Sequence, residues 1–220
     1  MLSQKIWRKL RRGPQIITLK DAGLISAFTG LQSGDSVVDA GAGSGFLAIY
    51  LASIVAPAGK VSTYERNEVF AGIAKKNTDA AGLAGVVKLK EKDVFLGIDE
   101  KEVDLITLDL AEPERLLAPA KEALKMHGFL VAYLPHTEQV KALVLAAEKE
   151  KFMHVRTIES SVREWLIREY GCRPGNTGIV FTGFLVFLQK VEERDFEEAR
   201  RALEDTKQGR RARRVKERLR

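Results

Sequence analysis

Short, nearly continuous apolar runs recur along the chain, each followed by a stretch with the three-to-four-residue spacing of a helix. Val37-Val38-Asp39-Ala40 is the first run, and Phe46 to Val55 is the helix after it, ended by Pro57 and Gly59. Lys60-Val61-Ser62-Thr63-Tyr64-Glu65 is the second. Asn67 then caps a helix to about Ala81, which Gly82 stops. Val86 to Val94 and Val103 to Asp109 are the third and fourth runs, both closing on an acid (Asp93 and Asp109). Pro113 leads into a helix from Glu114 to Leu124, and Gly128 turns the chain into a fifth run, Phe129 to Leu134. Pro135 ends that run and Thr137 starts a helix to about Lys151. Apolar strands alternating with helices predict a doubly wound parallel sheet with right-handed crossovers.

The rhythm changes at both ends. Val155 to Val162 and Thr182 to Gln189 are strand-like with no helix between them, and Tyr170 to Gly178, rich in turn formers, joins them. This hairpin-like pair predicts that the sheet finishes with an antiparallel C-terminal edge. The whole is an α/β fold, Rossmann-like, with a mostly parallel seven-stranded sheet, as in class I S-adenosylmethionine-dependent methyltransferases rather than nicotinamide dehydrogenases. Before the sheet, Ile6, Trp7 and Leu10 share one helical face, Asp21 can cap a helix from Ala22 to Thr29, and Ser33-Gly34-Asp35 is a turn. The expected division is a basic segment at 1–12, a main domain at 13–191, and a charged helix with a basic tail at 192–220.

Composition bounds the class. With 220 residues and 45% hydrophobic content, the chain can bury one substantial core. No run approaches the ~18 apolar residues of a membrane span, and no signal-peptide pattern opens the chain. Cys172 is the one cysteine, and His127, His136 and His154 have no metal-ligand spacing with it. A cytoplasmic protein with no bound metal is expected. Charge is unevenly placed: eight cations against Glu217 put +7 on residues 207–220, five cations put +5 on residues 1–12, and the total of +6 leaves −6 on 13–206. Basic arms on an acidic body suggest a polyanion partner, most simply nucleic acid; a solubilising tail is the plainer alternative.

The candidate chemistry centres on Asp39-Ala40-Gly41-Ala42-Gly43-Ser44-Gly45-Phe46-Leu47, where a buried strand turns through alternate glycines into a helix. The dinucleotide fingerprint needs a sixth-position glycine where Phe46 stands. The G-x-G-x-G spacing suits S-adenosylmethionine instead, which brings no pyrophosphate. Glu65, closing the second run, can accept hydrogen bonds from ribose hydroxyls. Asp93 can bind an adenine amino group, although an aspartate after a strand also caps turns.

Further stretches carry a resemblance. Pro14-Gln15-Ile16-Ile17-Thr18-Leu19-Lys20-Asp21, Ser62 to Glu65, Leu108-Asp109-Leu110-Ala111-Glu112-Pro113 and Leu130 to Pro135 resemble blocks of the tRNA (adenine-N1)-methyltransferases acting on the T-loop. Arg163-Glu164-Trp165, Arg173-Pro174 and Thr182-Gly183-Phe184-Leu185 are similar to the late blocks of the same family. Ala111 replaces a family proline and Phe181 a common histidine, and the usual small β-rich domain has no counterpart before Gly13.

The resemblance implies methyl transfer from S-adenosylmethionine to N1 of a tRNA T-loop adenine in the 57/58 region, giving 1-methyladenosine. It implies Asp109 as the catalytic carboxylate, with a helix cap before Pro113 as the structural alternative. The implied cofactor-binding set is Gln15, Gly41, Gly43, Ser44, Gly45, Phe46, Leu47, Glu65, Phe70, Asp93, Val94 and Asp109. It further implies tRNA as partner and a homo-oligomer, a tetramer in the family, with the basic arms standing in for the missing domain. Trp165 and Phe184 can stack on a base, although buried packing or a subunit contact is the plainer explanation for each. Two other readings stay open: a cofactor-binding but non-catalytic tRNA-binding subunit, and a methyltransferase for protein carboxylates or a tetrapyrrole precursor.

Overall fold

Val37, Val38 and Ala40 are fully buried because both faces of their strand are covered. They lie in β1 (Ser36–Ala40) of a computed structural model that describes residues 4–13, 15–175 and 181–203. Pro14, residues 176–180 (which include the end of the turn-rich linker) and the basic tail at 207–220 lie outside the described residues. The remaining strands are β2 (Lys60–Tyr64), β3 (Val87–Lys90), β4 (Val103–Leu108), β5 (Leu124–Leu134), β6 (Phe152–Glu159), β7 (Trp165–Arg168), β8 (Gly171–Pro174) and β9 (Phe184–Lys190). The helices are α1 (Gln4–Trp7), α2 (Leu19–Thr29), α3 (Phe46–Val55), α4 (Glu68–Ala80), α5 (Leu117–Ala123), α6 (Thr137–Lys149) and α7 over 193–203.

Seven strands form one sheet in the order β3-β2-β1-β4-β5-β9-β6. The first five are mutually parallel, and β9 runs antiparallel to both β5 and β6. The fold class is the one expected from the chain's rhythm. The reversed strand is β9, inserted between β5 and β6, so β6 forms the edge. Alternate residues feed two cores: Val37, Leu105, Leu185 and Phe187 face α2 and α3, whereas Val38, Ile106, Val186 and Leu188 face α5 and α6. Each fully buried aliphatic side chain of this kind contributes about 1.5–3 kcal/mol.

Several boundaries move, each for a physical reason. β5 begins at Leu124 rather than Phe129, its register against β4 shifting between Val103 and Leu105 while His127 takes φ 65°. The helix expected from Glu114 splits into a 3₁₀ turn, Pro113–Leu116, and the short α5. β6 starts at Phe152, whose buried ring anchors it. Between the two expected strands lies the β7–β8 hairpin, a separate two-stranded sheet pairing Trp165 with Pro174 and Arg168 with Gly171, and its second strand falls in the linker expected as turns. Its strands are short and exposed, so no alternation marks them. Asp21 does not cap α2; it lies inside the first turn, and Thr18 occupies the cap position.

Candidate active site

β1 is flanked by β2 on one side and β4 on the other, so the carboxyl ends of β1 and β4 border the switch-point crevice of an open α/β sheet. A cavity of about 560 Å³ opens there, lined among others by Gly41, Gly43, Glu65, Phe70, Asp93 and Asp109. That volume suits a nucleoside-sized ligand. A smaller recess of about 30 Å³ adjoins it through the shared Gly41, Gly43 and Asp109, and adds Gln15 and Ser44.

Gly41 has φ 91°, and a Cβ there would sit 2.4 Å from the carbonyl oxygen of Asp109. Any side chain would push the end of β4 away from the turn, breaking the 2.9 Å bond from Asp109 N–H to the Ala40 carbonyl. Gly43 is different: a Cβ there would meet nothing within 4 Å, which leaves its backbone open to a ligand. Gly45 packs on Ala74 of α4 and does not line the crevice. Phe46 and Leu47 border the recess, yet each is only 7% exposed, with Phe46 against the Trp7 ring at 5.9 Å. The buried Ser44 hydroxyl has no hydrogen-bond partner among the described residues.

Glu65 is aimed by its neighbours. One carboxylate oxygen accepts from Gly43 N–H at 2.8 Å and the other from Asn67 N–H at 2.9 Å. The cap of α4 is Asn67, which accepts from Val69 and Phe70 N–H, so Glu65 is free of that duty. Each oxygen keeps a lone pair for a ligand hydroxyl. Asp93 accepts from Phe95 N–H at 3.0 Å and from Arg66 at 3.3 Å, which hold its carboxyl below the usual range. It caps the 3₁₀ turn Val94–Leu96 and lines the cavity as well, and the buried Val94 lies beside it.

Two further residues stand behind the site, outside both cavity linings, and were not assigned a role from the sequence. Asp39 is wholly buried between β2 and β4, accepting from Thr63 Oγ1 at 2.7 Å and Thr107 Oγ1 at 2.8 Å. Burial pushes its carboxyl up to about 6 despite those two hydroxyls, and Glu65 adds to the rise. Burial likewise pushes Asp109 up to about 6, with the Asp39 charge as a second cause. Tyr133, at the end of β5, donates its hydroxyl to the Thr182 carbonyl and lies beside Gln15. Its signal in sequence is slight: one polar atom at the end of an apolar strand. Gly183 allows the fit, since a Cβ there would stand 2.7 Å from the Tyr133 ring.

Behind Tyr133, the Lys20-Asp21 pair holds the loop that carries Gln15. Lys20 Nζ donates to Asp21 at 2.7 Å, to the Ser160 carbonyl and hydroxyl at 2.9 Å, and to Thr182 Oγ1 at 2.7 Å. Asp21 is 1% exposed and also accepts from Thr18, Ser160 and Thr182 hydroxyls. This cluster clamps the start of α2 to the ends of β6 and β9. Trp165 and Phe184 lie away from the crevice lining: Trp165 is 57% exposed on β7, and Phe184 packs edge-on to Phe181.

Known proteins are similar to this chain in sequence and in fold. Residues 4–214 match the family described as tRNA methyltransferase complex GCD14 subunit. The chain is 36% identical to the tRNA (adenine(57)-N(1)/adenine(58)-N(1))-methyltransferase TrmI of Methanocaldococcus jannaschii, over 86% of this chain and 76% of that protein. It is 37% identical to tRNA (adenine(58)-N(1))-methyltransferase TrmI of Thermus thermophilus, over 78% of this chain and 68% of the other. Among solved structures, it is similar to the tRNA (m1A58) methyltransferase TrmI of Aquifex aeolicus, with TM-score 0.77, 26% identity, and coverage of 85% and 74%. It is also similar to a SAM-dependent O-methyltransferase of Thermotoga maritima, with TM-score 0.80, 32% identity, and coverage of 86% and 71%. With the family matching residues 4–214, a relative 36% identical over most of both chains, and the sheet order of the fold, this protein belongs to the tRNA methyltransferase complex GCD14 subunit family, an S-adenosylmethionine-dependent methyltransferase of Rossmann-like fold.

Proposed function

We propose that the chain methylates N1 of a T-loop adenine of tRNA in the 57/58 region, using S-adenosylmethionine, with Asp109 as the catalytic carboxylate and residues 13–191 as the catalytic unit. The observation that carries this reading is the placement of Asp109, half-buried and raised to about 6, where the two cavities meet beside the glycine turn. The crevice suits the cofactor's charge. Asp39, Glu65 and Asp109 surround the turn with acid, which favours a sulfonium cation and disfavours a pyrophosphate. Glu65 is aimed for a ribose diol, Gly43 leaves room for the nucleoside, and Gln15 and Ser44 supply polar groups in the recess. S-adenosylmethionine, when bound, supplies an electrophilic methyl group on sulfur.

The chain's own residues handle the charge that follows. Adenine N1 has a free lone pair, so it could attack the methyl group that S-adenosylmethionine would supply, the displaced electron pair going to the sulfur. The ring becomes cationic, and no base is needed before attack. Asp109 accepts a hydrogen bond from the N6 amino group, an interaction that strengthens as the ring gains charge, and can take that proton afterwards. Tyr133, beside Gln15 with its hydroxyl fixed on Thr182, holds one wall rigid.

A first consequence concerns Glu65. Its removal leaves Gly43 and Asn67 N–H without their acceptor and the ribose without its own. Glu65→Ala should weaken S-adenosylmethionine binding by about 1–3 kcal/mol, the range for hydrogen bonds to a charged group. Calorimetric titration with unchanged affinity would remove Glu65 from the site.

The enzyme is proposed to act in the cytoplasm as a homo-oligomer, a tetramer, with tRNA as partner. Support for assembly comes from apolar surface around the β7–β8 hairpin: Val162 is 60% exposed, Trp165 57% and Ile167 74%. Among the described residues no helix is long and apolar enough to cross a membrane. Light scattering at micromolar concentration should give a multiple of 24.5 kDa. A mass of one chain would rule the assembly out.

A further inference from the structure

The cations lining the main cavity are already neutralised. Arg66 pairs with Asp93, Lys92 with Asp99 and Arg115 with Glu112. With Glu65 and Asp109 present too, that mouth offers no net attraction to an RNA backbone. The segment leading into the crevice is the opposite case. Arg8, Lys9, Arg11 and Arg12 are exposed, and among the described residues none of them makes an ion pair. No acid stands anywhere in residues 1–12.

This basic segment is also fastened down. Trp7 packs on Phe46 at 5.9 Å and on Tyr50 at 6.4 Å, and Leu10 is 6% exposed in the same apolar cluster. Asn77, buried on α4, ties its backbone on both sides: its carbonyl accepts from Arg11 N–H at 2.9 Å and its amide donates to the Arg11 carbonyl at 2.8 Å. The same amide donates to the Ser44 carbonyl of the glycine turn at 2.8 Å. A Cβ on Gly13 would sit 3.3 Å from Ser44 Cβ, so the strap runs directly over the turn. Just beyond Gly13, Gln15 lines the recess. Even fully extended, Arg12 and Gln15 are no more than about 11 Å apart.

From the fixed backbone, the unpaired cations and the adjacency to the crevice, we infer that residues 8–12 form an RNA-phosphate-binding strap, which grips the substrate backbone beside the reacting site. The inference rests on the tRNA reading above and names how that substrate is held. Phosphate contacts of this kind set register and carry no sequence information. A strap ordered in advance binds without the cost of ordering a loose arm. The side chains are exposed, so replacing them leaves the packing of Trp7, Leu10 and Asn77 intact.

The test compares the full-length wild type with the fourfold variant Arg8→Gln, Lys9→Gln, Arg11→Gln and Arg12→Gln. The probe is a fluorescently labelled tRNA transcript, titrated by anisotropy at several salt concentrations, with S-adenosylmethionine affinity from calorimetry as the control on the fold. At ~0.1 M salt the variant should bind tRNA at least about tenfold more weakly, and its slope of log Kd against log salt should fall by about 2–4. Its S-adenosylmethionine affinity should stay within about twofold. A Kd and salt slope equal to wild type would overturn the strap while leaving the proposed activity untouched. A wild type that binds tRNA but transfers no methyl to it would sink the activity, and the comparison of Kd values would still decide the strap. A wild type that binds no tRNA would overturn both.

Discussion

Asp109→Ala should cut turnover by about 10²–10⁴-fold, the range for a lost general base or preorganised electrostatic group. The size of the effect depends on when the carboxylate acts. It faces an adenine that is neutral before methyl transfer and cationic during it, so its attraction grows along the reaction coordinate. Interactions of that kind lower turnover more than substrate affinity. Affinity for tRNA should therefore change little. Single-turnover transfer of labelled methyl to tRNA, followed by nucleoside analysis, reads the rate and the product, and titration of the labelled tRNA reads the affinity. A variant as fast as wild type would rule out Asp109 as the catalytic carboxylate.

The same carboxylate sets a pH dependence whose sign follows from its environment. Burial and the Asp39 charge raise Asp109 to about 6 from an ordinary value near 3.8. Only the ionised form opposes the ring's positive charge and can take the amino proton, so the rate should be flat above about pH 6 and fall roughly tenfold per unit well below it. A cation bound in the crevice favours the ionised form, which moves the inflection downward, never upward. In the Asp109→Ala enzyme this limb should vanish. For stability the sign is reversed from that of an ordinary salt-bridged acid. The folded chain binds these protons more tightly than the unfolded chain, so Asp39 and Asp109 favour folding more as pH falls from about 6 toward 3.8.

How much of this was legible from sequence depends on whether a feature is local. β1 and β4 could be read because each is buried on both faces and rich in apolar residues, β2 because its buried run closes on Glu65, and the edge strand β3 because Val87 and Leu89 alternate with lysines before Asp93. The glycine turn was legible for the same reason, its three glycines all taking positive φ within five residues of chain. β7 and β8 were hidden: with both faces exposed and four residues apiece, they carry neither alternation nor length. Asp39 could be placed on its strand but not assigned a role, since its partners Thr63 and Thr107 reach it only through pairing of β1 with β2 and β4. Tyr133 is the same kind of case. Its contact with Thr182 spans the β5–β9 pairing, which no local pattern announces.

Asp21 shows most clearly how a residue misread locally gains its role from tertiary structure. As a helix cap it would be worth about 1 kcal/mol. In the fold it is the acceptor for Lys20 and for hydroxyls of Thr18, Ser160 and Thr182, drawn from segments about 140 and 160 residues apart in the chain. Removing it leaves an ammonium group, only 18% exposed, beside three hydroxyls that have lost an acceptor. Breaking a buried pair from one side costs about 3–5 kcal/mol, because the remaining charge stays desolvated. Asp21→Ala should therefore destabilise the chain by that amount in denaturant unfolding, and Lys20→Met by a comparable amount, because it strands the Asp21 carboxylate, 1% exposed, with hydroxyl donors alone. A double variant, Lys20→Met with Asp21→Leu, should recover part of the loss, since an apolar pair needs no partner. Since the clamp also positions the Gln15 loop and, through Thr182, the Tyr133 hydroxyl, the double variant should regain stability without regaining full turnover. If Asp21→Ala unfolds within about 1 kcal/mol of wild type, the cluster contributes no more than a cap would, and the clamp between α2, β6 and β9 must be carried by apolar packing alone.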